Sequence, residues 1–127
     1  MTTRTVRTTA VPASAVLSAW NSYVWRNGVR VDELTSLDRL TVLTRHSKYE
    51  IVVVSPNTAE VLVRGGEFFP SFTAVRLAGS TLGGSFLKLR SIFVGFNIEF
   101  TVDGGAVVTS PVRTIAVAAG ARSSDVM

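Results

Sequence analysis

Three features of the sequence predict an all-β protein, a small antiparallel barrel or sandwich of about seven to nine short strands. Apolar residues fall mostly into short every-other-residue runs, the period of a half-buried strand. Gly, Pro, Asn and Asp punctuate those runs at the spacing of turns. Of the 127 residues, 46% are apolar and only 17% charged, against about 25% charged in ordinary soluble domains. That shortfall predicts faces covered by other copies of the chain or by a partner.

Residues 1–11 (MTTRTVRTTAV) are Thr-rich and basic and read as an N-terminal arm, although Thr and Val would also suit an edge strand. A single β-rich domain is expected over residues 12–117, with a loose, small and polar tail at 118–127. Ala13, Val16, Leu17, Trp20 and Val24 recur at helical spacing, with Pro12 placed for a first turn. Asn27-Gly28, flanked by Tyr23–Arg26 and Val29–Val31, is a strong hairpin signal. A short N-terminal helix over 13–21 followed by a hairpin across 23–31 satisfies both cues.

Strands follow at Arg39–Arg45 and Tyr49–Ser55, joined by a turn at His46-Ser47-Lys48. The second is apolar on both faces from Ile51 to Val54 and is expected to lie centrally in the sheet. Pro56-Asn57-Thr58 turns the chain into Glu60–Arg64. After the break at Gly65-Gly66, Val75–Ala78 reads as a short strand, Gly79–Ser85 as a flexible connection and Phe86–Leu89 as resumed pairing. Phe96, Ile98, Phe100 and Val102 alternate with polar residues without a miss. Asp103-Gly104-Gly105 leads into Ala106–Thr109, Pro111 marks a break or an edge, and Val112–Val117 is the last strand.

Composition narrows the chemistry. With no Cys and a single His, thiol nucleophiles, disulfides and thiolate metal sites are excluded, leaving hard oxygen ligands for any metal. Asp32-Glu33 and Asp103 lack calcium-loop spacing, so neither metal nor other cofactor is expected. Polar residues interrupt Val11–Trp25 before it becomes an apolar leader core. No run approaches the ~20 apolar residues of a spanning helix. A soluble, cytoplasmic protein with no membrane partner is the expectation. The net charge of +4 is carried by residues 1–30, which hold Arg4, Arg7, Arg26 and Arg30 and no acid, whereas the remainder is balanced.

Four stretches deserve weighing as sites. Gly79 and Gly84 have phosphate-loop spacing, but Ser85 stands where that loop needs Lys, and Lys88 comes three residues late. A structural connection is the favoured reading. His46 stands among Arg45, Ser47 and Lys48 at a turn, where neighbouring cations oppose the imidazolium a general base must form. A solvated turn is favoured there, with Arg45, His46 and Lys48 as a basic contact point for a phosphate or a carboxylate. Arg64 together with Phe68, Phe69 and Phe72 forms an aromatic stretch suited to an interaction loop, against the favoured alternative that the rings plug the barrel end. Tyr23, Trp25, Arg26 and Arg30 are the one place where aromatic and basic residues interleave as nucleic-acid stacking would require.

The leading functional expectation is a non-enzymatic module for binding or assembly, homo-oligomeric or joined to a protein partner through apolar faces and the Arg64–Phe72 stretch. The alternative is weak, salt-dependent nucleic-acid association through Arg4, Arg7, Arg26 and Arg30. A third reading is an enzyme whose carboxylates, among Glu50, Glu67 and Glu99, converge with Arg64 in one pocket.

Overall fold

The computed structural model describes residues 24–82 and 85–120. The arm at 1–11 and the helix expected over 13–21 lie outside those residues, as does most of the tail. Within them the protein is all-β and antiparallel, with a sandwich- or barrel-like architecture. Eleven strands are formed: β1 Val24–Arg26, β2 Gly28–Arg30, β3 Arg39–Thr44, β4 Lys48–Ser55, β5 Glu60–Gly65, β6 Phe69–Leu82, β7 Ser85–Leu89, β8 Ser91–Phe93, β9 Asn97–Val102, β10 Gly105–Val108 and β11 Val112–Ala118. A 3-10 turn at Val31–Glu33 follows β2.

The main sheet runs β1-β11-β3-β4-β5-β6-β9-β10, with β7 added to β6, and β2 pairs with β8 as a separate ribbon. The sheet is not a closed ladder, but its two ends are drawn together at the corner between β10 and β11. There the Gly95 N–H donates to Val112 O (2.8 Å) and the Val112 N–H donates to Phe96 O (2.9 Å). The Thr109 N–H donates to Ile98 O (2.9 Å) and its Oγ1 accepts from the Ile98 N–H (3.0 Å), extending the β9 pairing past β10.

Alternation places the core. Leu40 and Val42 on β3, Tyr49, Ile51 and Val53 on β4, Val61 and Val63 on β5, and Ile98 and Phe100 on β9 all point to one interior. Each fully buried aliphatic or aromatic side chain contributes roughly 1.5–3 kcal/mol, and Phe100 is the largest of them. Curvature comes from irregularities in register at Val53/Ser55, Val63/Gly65, Leu77/Gly79 and Val112/Thr114. A bulge bends its strand and increases the local twist. At Gly65 and Gly79 (φ 138° and 150°) a Cβ would collide with the backbone carbonyls of Lys48 and Lys88, so neighbouring strands approach there only because the residue is Gly.

Strand β6 is the longest element, at 14 residues. Its first half pairs with β5 and its second half with β7, both along one side, while β9 takes the other side from Arg76 to Thr81. The sequence predicts a short strand at 75–78 and a flexible connection over Gly79–Ser85. Val75–Ala78 and the first part of that connection, Gly79 to Leu82, belong to this one continuous strand, and Ser85 opens β7. The buried Ser80 explains the difference. Its Oγ donates to Ser91 O (2.9 Å) and accepts from the Phe93 N–H (3.1 Å), so a polar residue in β6 satisfies the backbone of β8.

The expected hairpin across 23–31 is also revised. Strands do flank Asn27-Gly28, but β1 pairs with β11 and β2 with β8. Gly28 is needed because a Cβ there would strike the Phe93 ring on the partner strand. Asn27 is thus a corner between two sheets, its carbonyl accepting from the Val94 N–H at 2.8 Å.

Candidate interaction surfaces

Hairpin geometry at Gly65–Phe69 sorts the aromatic stretch into two fates. Phe69 opens β6 opposite Gly65 and is 2% exposed, its ring edge-on to Phe100 at 5.6 Å between centroids. Phe68 is in the turn and 61% exposed, and Phe72, farther along β6, is 37% exposed. One ring therefore fills the core while two remain at the surface.

Arg64 belongs with Phe72. Its guanidinium carbon stands 4.4 Å from the Phe72 centroid, a cation–π contact. The same guanidinium donates to Glu50 on β4, through Nε at 2.9 Å and through Nη2. Cross-strand register explains the meeting, since Glu50 lies directly opposite Arg64. The hydrogen bond from Arg64 holds the Glu50 carboxyl below the usual carboxylate range, and Lys48 adds a weaker attraction from 4.0 Å. Lys48, Glu50, Arg64 and Phe72 form a satisfied strip on the outer face of β4–β6.

The carboxylates of the third reading do not share a site. Glu50 is on β4 and Glu99 on β9, with two strands between them in the sheet order, and Glu67 lies in the β5–β6 turn. Among the described residues no three His, Asp or Glu side chains are grouped to hold a metal. No helix there is long and apolar enough to cross a membrane.

The basic residues separate by partner. Arg30 is held by Asp32, with Nε to Oδ1 at 3.1 Å and Nη2 to Oδ2 at 2.8 Å. That hydrogen bond lowers the Asp32 pKa from its ordinary value and raises that of Arg30. Arg45 and His46 are exposed in the β3–β4 turn, which is anchored by the Arg45 N–H donating to Pro111 O (3.1 Å). Arg4 and Arg7 lie outside the described residues. Arg26, at the end of β1, lines an open groove with Asn27, Val94, Arg113, Thr114 and Ile115. Arg113 has only a faint signal in the sequence, a basic residue two positions after Pro111 at the start of a strand.

The remaining surface feature is an edge. Strand β10 (GAVV) pairs with β9 on one side, and among the described residues nothing pairs with its other side. It carries no charge, and Gly105, Ala106 and Val108 are exposed. Leu37, Val54, Leu82 and Leu89 are further exposed apolar side chains, between 45% and 65% accessible. No protein-family model, curated protein or solved structure matches the chain.

Proposed function

We propose that this protein is a non-enzymatic binding and assembly module that associates with further copies of itself. The uncharged free edge of β10 is the observation that carries the reading. Isolated proteins blunt such an edge by keeping it short or with Lys, Pro, a bulge or a covering element; β10 is short, at four residues, but carries none of the others. A second β10, related by a two-fold axis, would pair with it antiparallel and leave an isologous interface. Four residues of edge are far short of the roughly 1,200–2,000 Å² of a stable interface, so exposed apolar side chains elsewhere on the surface must contribute as well.

Light scattering behind size exclusion, at about 100 μM protein, tests this directly. The expected mass is at least twice the 13.6 kDa of one chain. Val108→Lys places a charge beside the free edge and should return a monomer with an unchanged far-ultraviolet spectrum. A wild-type particle of one chain mass at that concentration would end the proposal.

A further inference from the structure

We propose that the groove between Arg26 and Arg113 is a binding site for a phosphate group. Two strands that the sequence separates by more than eighty residues bring these guanidinium groups together. Arg26 lies opposite Ile115 in the β1–β11 register, and Arg113 is the extra residue where β11 shifts register against β3. A bulge redirects the side chain it carries, and here it turns Arg113 out beside the end of β1.

Charge in the groove is uncompensated. Its lining residues are Arg26, Asn27, Val94, Arg113, Thr114 and Ile115, with no carboxylate among them. Among the described residues, the ion pairs are Arg30–Asp32, Lys48–Glu50 and Arg64–Glu50, none of which uses Arg26 or Arg113. This contrasts with Arg30 and Arg64, each of which has a bidentate or shared carboxylate contact. Two unneutralised guanidinium groups in one depression repel each other, and an anion between them removes that repulsion.

The donor set selects the anion. Each guanidinium presents a planar fork of N–H groups, and Asn27 adds a side-chain amide. Thr114 also borders the groove, but its Oγ1 is buried beneath the surface, so the donors open to an anion are the two guanidinium groups and the Asn27 amide. A phosphate offers more acceptor oxygens than a carboxylate, spread tetrahedrally and carrying more negative charge, so it can accept from both forks and the Asn27 amide at once. The groove, about 260 Å³, is smaller than the 300–1,000 Å³ typical of drug-sized ligands and has room for a phosphate or pyrophosphate group. Val94, half-buried, is the apolar side of the groove, while Ile115 lies beneath it in the core. Arg45 stands beyond the same end of β11, where its N–H meets Pro111 O, so a second phosphate of a chain could be met there.

The phosphate could come from a free anion or from a nucleic-acid backbone, and two arms of one experiment separate these. In the first, inorganic pyrophosphate is titrated into the full chain and followed by amide chemical shifts, with acetate at equal ionic strength as the control. Saturable shifts at Asn27, Arg113 and Thr114 are expected, with at least tenfold weaker binding in R26Q/R113Q. In the second, anisotropy of a labelled twelve-nucleotide oligothymidylate is measured between 50 and 200 mM salt. If the backbone is the source, R113Q lowers affinity and reduces the salt slope by about 0.7; if free phosphate is, only the first arm responds. Both arginines are exposed, and R113Q alone decides should the double variant fail to fold. Shifts centred elsewhere, equal shifts with acetate, or pyrophosphate binding undiminished in R113Q would overturn the proposal. The readout is independent of β10, so Val108→Lys should leave it unchanged.

Discussion

Replacing Phe69 by Ala and, separately, its neighbour Phe68 by Ala puts the packing argument at greatest risk. Phe69 is 2% exposed and meets Phe100 edge-on at 5.6 Å, whereas Phe68 is 61% exposed. A buried Phe→Ala change costs about 3–5 kcal/mol, including the cavity left behind. Collapse around Phe69 is restricted, because Tyr49 and Phe100 come from different strands that are each fixed by neighbours on both sides. A loss of about 4 kcal/mol is therefore expected. With a urea m-value of about 1.5 kcal/mol/M, the midpoint should fall by roughly 2.5 M. Phe68→Ala removes no buried contact and should move it by no more than about 0.3 M, the effect of a typical surface change. Urea unfolding followed by circular dichroism, at one fixed protein concentration because association shifts apparent stability, measures both. Two equal shifts, or a Phe69→Ala midpoint within about 0.5 M of wild type, would refute the assignment of one ring to the core and the other to solvent.

Two further outcomes are expected. Ser80→Ala leaves the Phe93 N–H and Ser91 C=O without their hydroxyl partner; it should cost about 1–3 kcal/mol and speed hydrogen exchange at the Phe93 amide, and unchanged exchange there would contradict the bridging role. Glu50 has a folded pKa held below its ordinary value by Arg64. Its contribution is thus fully present above the unfolded pKa of about 4.3 and lost as pH falls through the lower folded value. Glu50→Gln should therefore cost at most about 1 kcal/mol near neutral pH, and its difference from wild type in urea titrations should shrink steadily as the buffer is taken below about pH 4.

Much of the framework was legible because local pattern and tertiary role coincide in it. Ile98 and Phe100 alternate with polar residues and face the core; Pro56–Thr58 and Asp103-Gly104 turn where their chemistry says, with Gly105 already opening β10. Strand β6 was hidden for the opposite reason. Its buried Ser80 and Thr81 and its close-packed Gly79 interrupt the apolar period that marks a strand. At Asn27-Gly28 the strands were visible but their partners were not, since turn chemistry carries no information about a distant β8 or β11. The candidate groove was half visible for the same reason: Arg26 stood out in an acid-free segment, while Arg113 gains meaning only from a register shift. Phe68 and Phe69 could be divided only once the hairpin fixed which of two adjacent residues turns inward.

Because β6 carries β5 along its first stretch and both β7 and β9 along its second, no fault line divides the described sheet into independent halves. Severing the chain within that strand would deprive every flank of its template at once, so fragments should stay unfolded apart and regain structure only together. Denaturation should accordingly proceed as a single concerted event rather than in two stages.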